Sequence, residues 1–449
     1  MKTRIGFLGL LILLVANIQL SFAIKKNNHQ NSQQFTINNS NILKADSSYW
    51  SPLGSGLTSD CSSMAIDNDG NLYVSGSFFT MGHIAKWDGT SWSQLGEGMS
   101  GGAAAIAIDN NNNVYVGGYF YSAGGLVANN IAKWDGTSWS TLGTGFNESC
   151  MGLAIDDDGI LYAAGNFTVA GGVPVNYTAK WDGTSWSAMG NGFDGECTDM
   201  MIDNEGNVYA VGFALSKDSR YTGRVKKWND SLWVNLGNGF NNTCTSITVD
   251  NNGNIYAGGV FGNFNYIAMW DGVSWSQLGE GLSSICSVVT TDKEGNLYAG
   301  GQFTEAGNVP ANNVAKWDSS RWSALGSGLN GNCRDMAFSN EGSLYVCGNF
   351  TTAGGVEAKY VARWGGDIAS VPTLIYSNDL KISPNPVSSY FSLDTRVDIK
   401  SVEIFNMEGH KISSFKKEEK YPVNNLERGV YLIKIFLSNR VVVKKLIKK

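Results

Sequence analysis

The sequence predicts an all-β protein, a seven-bladed β-propeller closed by pairing of its two ends and followed by a small C-terminal β-sandwich, and three observations carry that reading. All fourteen tryptophans fall on one repeating frame. Successive first tryptophans stand 47, 47, 47, 42, 47 and 47 residues apart, a period typical of propeller or solenoid arrays. Each period divides into four short extended runs and shows no helical spacing.

Six tryptophan pairs lie five residues apart: Trp87/Trp92, Trp134/Trp139, Trp181/Trp186, Trp228/Trp233, Trp270/Trp275 and Trp317/Trp322. Trp364 ends a segment like the first half of a pair, and Trp50 opens Trp50-Ser51-Pro52-Leu53-Gly54, which is like the second half. The two ends therefore complete one repeat between them. In the third unit the first strand runs from Cys150 to Asp156, with Met151, Leu153 and Ile155 on one face and Cys150, Gly152 and Ala154 on the other. Ile160 to Gly165, Tyr177 to Trp181 and Trp186 to Met189 follow as the second, third and fourth strands. A turn centred on Gly183-Thr184 sets Trp181 directly across from Trp186, so each pair forms an aromatic rung. Strand tryptophans that recur in every blade are expected in the core rather than as sugar platforms. A four-stranded unit buries its faces only against neighbours, and a closed ring leaves no unit with a bare face.

The expected organisation is a signal peptide over 1–23, a polar disordered leader over 24–47, the propeller over 48–366, a linker over 367–379 and a terminal domain over 380–449. Lys2 and Arg4, the apolar run that follows and the small-x-small ending Ser21-Phe22-Ala23 mark the signal peptide. Cleavage after Ala23 exposes Ile24, so no lipid-anchored cysteine is expected, and no later apolar run is long enough to span a bilayer. The net charge of −6 hides a division: residues 1–47 carry +4, residues 380–449 carry +7, and the stretch between carries −17. A ring this acidic repels phosphate backbones, which argues against nucleic acid as a partner. A monomer is expected.

Runs such as Val114-Tyr115-Val116-Gly117-Gly118 with a tryptophan downstream resemble kelch-type propellers. The phrases Gly-x-Phe-Thr-x-Ala-Gly-Gly, Ile-Ala-Lys-Trp-Asp-Gly and Ser-Trp-Ser-x-Leu-Gly resemble bacterial surface repeats and the fungal cortical-marker propeller family. That resemblance implies a fold and leaves the ligand open. Near the end, Lys381-Ile382-Ser383-Pro384-Asn385-Pro386, Val402-Glu403-Ile404-Phe405-Asn406-Met407-Glu408-Gly409, Arg428-Gly429-Val430-Tyr431-Leu432-Ile433-Lys434-Ile435 and the basic final strand from Val441 occur in order. They resemble the sorting domain of the Bacteroidota type IX secretion system. The resemblance implies that the type IX machinery is a partner and that the chain reaches the extracellular space or outer-membrane surface of a Gram-negative bacterium.

Residues that could carry chemistry are few. Cys61, Cys150, Cys197, Cys244, Cys286 and Cys333 each lie eleven residues after a second tryptophan, with Ala103 in the second blade, and Cys347 falls outside this register with no evident partner. Export invites the disulfides Cys150–Cys197, Cys244–Cys286 and Cys333–Cys61. Rotational stacking sets unlike faces together, however, and favours buried thiols. Asp67, Asp109, Asp156, Asp203, Asp250 and Asp292 close the first strands, with Ser339 in the seventh; turn hydrogen bonding explains them, and calcium is the one cofactor left open. Lys86, Lys133, Lys180, Lys227 and Lys316, replaced by Met269 and Arg363 in the other blades, are expected in ion pairs.

The fourth blade breaks the repeat with Phe213 to Arg224, and with Lys226 this segment adds four cations to an acidic ring. Lys217, Arg220, Tyr221 and Arg224 are therefore the candidate ligand contacts. The three histidines, His29, His83 and His410, fall in different regions, which argues against a Ser-His-Asp triad or a histidine metal cage. The leading expectation is a non-enzymatic secreted or surface-displayed propeller that binds a glycan, polymer or protein. The alternatives are a carbohydrate-active enzyme using carboxylates and a calcium-stabilised surface protein.

Overall fold

A computed structural model describes residues 50–215, 220–365, 380–394, 399–406, 411–437 and 441–449. The expected signal peptide, leader and linker, and Lys217, lie outside the described residues. Ser48–Gly366 forms one compact unit. It holds seven antiparallel four-stranded sheets, each ordered first strand to fourth. Blade 3 is representative, with strands Cys150–Ile155, Leu161–Gly165, Thr178–Trp181 and Trp186–Ala188. Blade 7 takes its first three strands from Cys333–Phe338, Leu344–Gly348 and Val361–Trp364, and its fourth is Trp50–Pro52 from the other end of the chain.

The tryptophan rungs form in every blade. Trp181 pairs with Trp186, Trp270 with Trp275, and Trp50 with Trp364 across the closure. The seven pairs have ring centroids 5.0–5.5 Å apart and planes inclined by 47–55°. Tilted aromatic pairs of this kind add roughly 0.5–1.5 kcal/mol beyond the area they bury. The turn that sets the register begins on Gly183 at φ 95°, while the Asp182 carboxylate accepts from the Thr184 and Ser185 amides.

The second tryptophan of the pair does more than pack. Its indole N–H donates to the carbonyl of the Trp-x-x-Leu leucine in the preceding blade: Trp139 to Leu95, Trp186 to Leu142 and Trp322 to Leu278, all at 2.9 Å, and Trp275 to Leu236 at 2.8 Å. Trp50 donates to Leu325 of blade 6 at 2.9 Å, while Leu53 beside it accepts from Trp92 of blade 1 at 3.0 Å. The amino-terminal segment thus bonds in both directions around the ring. The glycine after the leucine is required there, because Gly326 has φ 59° and a Cβ on it would stand 3.3 Å from the Trp364 ring. Trp233 is the exception. The preceding blade offers Met189 where the others have leucine, and the Trp233 indole N–H has no partner among the described residues.

Two expected details are corrected. The first is that the rungs do not all lie in the core: Trp50, Trp139, Trp186 and Trp322 are buried, whereas Trp92, Trp233 and Trp275 are only half-buried. In blade 5 both members of the rung, Trp270 and Trp275, are half-buried, and the Trp275 ring rests edge-on against Phe240 at 5.0 Å. The difference comes from the loop between second and third strands. In blades 2, 3, 6 and 7 a hairpin glycine lies against the indole, so that a Cβ on Gly124, Gly171, Gly307 or Gly354 would stand 2.5–2.7 Å from Cδ1 of Trp139, Trp186, Trp322 or Trp50. Blades 1, 4 and 5 lack that two-residue hairpin, and their second tryptophans stay partly open to water.

The second correction concerns the first strands. Each carries a register shift after its opening residue, between Cys150 and Gly152 in blade 3. The bulge breaks the simple alternation, so Cys150 and Leu153 share a face instead of opposing one another. Both lie against Gly117 of blade 2, where an added Cβ would meet Cys150 Sγ at 2.5 Å and Leu153 Cδ1 at 3.3 Å. A one-residue bulge does this because side-chain direction has period two.

In blades 4, 5 and 7 the residue after the bulge links neighbouring inner strands. Ser246 Oγ accepts from the Val289 amide of the next blade at 3.2 Å. In blades 4 and 7 this position is an aspartate. Asp199 accepts from Met200 N at 2.8 Å and from Ile247 N of blade 5 at 3.0 Å. Asp335 accepts from Met336 N and from Met64 N of blade 1, both at 2.7 Å. Burial pushes Asp199 up to about 6 against those hydrogen bonds. It pushes Asp335 up to about 7, and the charge of Asp199 adds to the rise.

The terminal domain, described by itself, is a three-stranded sheet (Lys381–Ser383, Tyr390–Asp394, Tyr421–Pro422) and a four-stranded sheet of Lys411–Lys416, Ile399–Phe405, Gly429–Leu437 and Val441–Lys448 in that order. Val387, Phe391, Val402, Ile404, Tyr421, Ile433 and Leu446 form its core. Asn385 of the Ser-Pro-Asn-Pro run clamps the last strand, donating to Lys445 O and accepting from Ile447 N.

Two outcomes are expected. Trp50→Ala, which removes a rung and a blade-to-blade hydrogen bond, lowers stability by about 3–5 kcal/mol, and Trp50→Phe, which keeps a ring without the donor, by about 1–2 kcal/mol. A chain starting at Ser48 keeps the full urea midpoint; wild-type stability in Trp50→Ala would contradict the closure. Secondly, between about pH 4 and 7 the folded protein holds more protons on Asp199 and Asp335 than the unfolded chain, whose aspartates titrate near 3.9. Their contribution to stability is present below that range and is lost as pH rises through about 6 and about 7. Asp199→Asn/Asp335→Asn flattens this part of the urea midpoint against pH, whereas an unchanged profile would exclude the two carboxyls as its source.

Candidate functional site

The loops between second and third strands share a rim with the connections between blades. Met99 bridges to Ala123, Phe146 to Ala170 and Leu329 to Ala353, each joining a connection to the loop of the next blade. In blades 2, 3, 6 and 7 the loop is a two-residue hairpin such as Ser122–Ala123 with Leu126–Val127. Blades 1 and 5 replace it with single 3-10 turns, Phe79–Met81 and Gly262–Phe264. A phenylalanine on this rim is buried in almost every blade: Phe78, Phe120, Phe167, Phe261, Phe303 and Phe350 are at most 4% exposed.

Blade 4 departs from this scheme by lengthening its strands to Val208–Leu215 and Tyr221–Trp228, so the irregular segment seen in the sequence is largely an extended hairpin. Of the candidate contacts there, Arg220 is exposed. Tyr221 is exposed, its ring edge-on to Phe213 at 5.0 Å. Arg224 is drawn to Asp194, Nε to Oδ2 3.7 Å, and Lys226 holds the other oxygen of that carboxylate at 2.7 Å while lying over the Phe193 ring. Burial raises the Asp194 carboxyl, but the hydrogen bond and charge of Lys226 outweigh it and leave the group below its usual value. Arg224 and Lys226 thus share one carboxylate, and among the described residues the exposed members of this candidate set are Arg220 and Tyr221.

The lysines before the first tryptophans are also corrected. Lys86, Lys133, Lys227 and Lys316 lie 5.1–5.4 Å above Tyr73, Tyr115, Tyr209 and Tyr298 of the adjacent second strand, and Arg363 lies over Tyr345. Cation–π contact is the shared role of these four lysines and Arg363, Lys180 being outside the set, and among the five Lys316 alone adds an ion pair, with Asp292 at 3.4 Å. The tyrosine matters because it stands opposite the lysine in register, Tyr115 to Lys133.

The aspartates that close the first strands are filled by turn donors. Asp67 accepts from Asp69 N, Asn71 N and Asn71 Nδ2 at 2.7–3.0 Å. Asp109, Asp156, Asp203, Asp250 and Asp292 also accept from a tyrosine hydroxyl at 3.0–3.3 Å. Among the described residues no three His, Cys, Asp or Glu side chains come together as a metal-ligating group.

What the sequence reading passed over is a set of exposed aromatics on the same rim. Phe79 of blade 1 and Tyr119 and Tyr121 of blade 2 are 81%, 78% and 70% exposed, with Val127 and Leu126 beside them. The two loops are laced together, since Met99 N donates to Gly82 O at 2.8 Å and Ser100 Oγ accepts from the Tyr121 and Ser122 amides. Their signal was present in the repeat. Where blades 3, 6 and 7 read Asn-Phe-Thr or Gln-Phe-Thr, blade 2 reads Tyr119-Phe120-Tyr121 and blade 1 reads Ser77-Phe78-Phe79.

Comparison with known proteins agrees with this architecture. Residues 381–449 match the secretion system C-terminal sorting domain, and residues 276–364 match the Rax2 C-terminal beta propeller domain. No curated protein matches the chain. Among solved structures, the WD40 beta propeller domain of Doa1 is 14% identical over 70% of this chain and 95% of its own, with a TM-score of 0.50. The structure described as YCF48 bound to D1 peptide is 12% identical over 71% and 97%, TM-score 0.48, and a catalytically inactive virginiamycin B lyase from Staphylococcus aureus is 10% identical over 71% and 99%, TM-score 0.47. At these identities the likeness concerns the fold alone. No helix among the described residues is long and apolar enough to cross a membrane. The chain is therefore a β-propeller protein ending in a Bacteroidota type IX secretion sorting domain, exported to the cell surface or extracellular space.

Proposed function

We propose that the exported propeller is a non-enzymatic binding module that holds a glycan or polysaccharide on the rim formed by the second-to-third-strand loops of blades 1 and 2. The observation that carries this reading is the exposure of Phe79, Tyr119 and Tyr121 on adjoining loops, at positions where blades 3, 6 and 7 place Asn or Gln and Thr. Large aromatics left in water at three neighbouring sites cost solvation and gain little in the fold, so their use lies in contact with something else. A flat aromatic face fits the C–H-rich face of a sugar ring, and a tyrosine hydroxyl or Ser100 beside it fits the equatorial hydroxyls. The acidic ring favours a neutral or cationic polymer over an anionic one.

The two aspartates that break the symmetry of the inner strands support binding over carboxylate catalysis. Asp199 and Asp335 each spend their oxygens on backbone amides of two blades, which suits a strut better than a proton donor or nucleophile.

A glycan and polysaccharide array probed with the mature chain, with product analysis on every hit, tests the proposal. Tyr119→Ala, Tyr121→Ala and Phe79→Ala should each weaken binding by roughly 5- to 30-fold, as truncation of aromatic contact residues commonly does, with the urea midpoint unchanged. Binding untouched by the triple variant would move the site elsewhere, and release of shortened sugars would replace the binding module with an enzyme.

A further inference from the structure

The six cysteines in register do not face one another. Each faces the second-strand residue that precedes a glycine in the preceding blade. A Cβ built on Gly117 falls 2.5 Å from Cys150 Sγ, one on Gly258 falls 2.7 Å from Cys286 Sγ, and one on Gly300 falls 2.7 Å from Cys333 Sγ. Elsewhere the same strand position holds Ser75, Ala164 and Val211. In blade 7 it holds Cys347, and the residue it faces is Cys61 of blade 1. The two sulfur-bearing side chains are fully buried in one shared core cluster, and burial, with Cys61 among the neighbouring groups, pushes the Cys347 thiol up. Cys347, which has no place in the cysteine register, thus acquires a partner through the closure of the ring.

We propose that Cys61 and Cys347 form a disulfide in the exported protein, a covalent cross-link across the seam where the first and seventh blades meet. At the equivalent position of other blades a built Cβ falls 2.9–3.2 Å from the facing cysteine Cβ, the close approach that a bridge between neighbouring blades requires. The seam is also where a cross-link does most. Its residues are 286 positions apart in sequence, so the bond removes a large share of the freedom of the unfolded chain. An ion pair already spans the same seam, Arg334 Nη2 to Asp60 Oδ2 at 2.9 Å.

The chemistry is thiol–disulfide exchange. The two thiols lose two protons and two electrons, one S–S bond forms, and the oxidant is a second disulfide, protein-borne in the cell envelope or glutathione disulfide in vitro, which is reduced to two thiols. Burial pushes the Cys347 thiol well up, so the closed ring reacts poorly and exchange takes place before blade 7 docks on blade 1.

The test is to refold the mature chain in a glutathione redox buffer, alkylate remaining thiols in denaturant and read a non-reducing digest by mass spectrometry. The expected result is one linked peptide pair, Cys61 to Cys347, lighter by two hydrogens than its separate parts, with Cys150, Cys197, Cys244, Cys286 and Cys333 alkylated. Reduction should lower the unfolding temperature by ~5 °C or more. Cys347→Ala copies blade 3, where Ala164 stands opposite Cys197, and Cys61→Ala copies Ala103 of blade 2. Each should abolish both the linked peptide and the response to reductant, while Cys150→Ala should abolish neither. Seven alkylated cysteines in protein that has regained its folded signal, or a link between any other pair, would overturn the proposal.

Discussion

The ring depends on one repeated contact, the indole of a fourth-strand tryptophan donating to the leucine carbonyl of the blade before it. A fourth strand is only three residues long and sits at the outer edge of its sheet, where a backbone ladder alone would hold it weakly. The tryptophan compensates twice, by stacking across its own hairpin and by fastening that hairpin to the neighbouring blade. Trp275 keeps both contacts although the loop above it leaves its ring half-buried, so the fastening does not depend on full enclosure. The repeated Trp-x-x-Leu-Gly spacing follows from this contact: the leucine supplies the acceptor, and the glycine supplies the left-handed turn and the clearance for the next ring. Trp50 matters most because its segment both donates to blade 6 and accepts from blade 1, which turns seven stacked sheets into a closed structure.

Near the axis the same problem is solved with polar side chains. The bulge after each opening residue leaves amides that need acceptors, and the next inner strand in the ring is served by Ser246, Asp199 and Asp335. Each aspartate bonds one amide of its own strand and one of the next, where Ser246 bonds the next alone; the cost is a buried carboxyl, and burial raises the proton affinity of both aspartates. The outer tryptophans and, in blades 4, 5 and 7, the inner acceptors thus brace opposite edges of the sheet.

Function is left to the places where the repeat is not obeyed. The prominent aspartates and lysines recur in nearly every blade because they build turns and cover tyrosine faces, and recurrence of that kind marks construction. Blade 4 looked the strongest departure in sequence, yet two of its added cations, Arg224 and Lys226, are drawn to the single carboxylate of Asp194. The exposed rings of Phe79, Tyr119 and Tyr121 are quieter in sequence and more telling in space, because the fold leaves most of each ring in water.

The sequence by itself determined the number of blades, the pairing of tryptophans across the third and fourth strands and the closure of the ring by Trp50, while the terminal domain was recognisable through the resemblance of its motifs to the sorting-domain family. It could do so because these properties are periodic or local: a fixed spacing counts the units, and a two-residue turn dictates which side chains oppose each other. Contacts between blades were decided by the tertiary structure. The partner of each indole N–H, the face presented by Cys150 after its bulge, the amides met by Asp199 and Asp335, and the meeting of Cys347 with Cys61 all join residues from different repeats. A bulge of one residue inverts a side chain and a small rotation between blades selects its neighbour, so no pattern along a single strand carries that information.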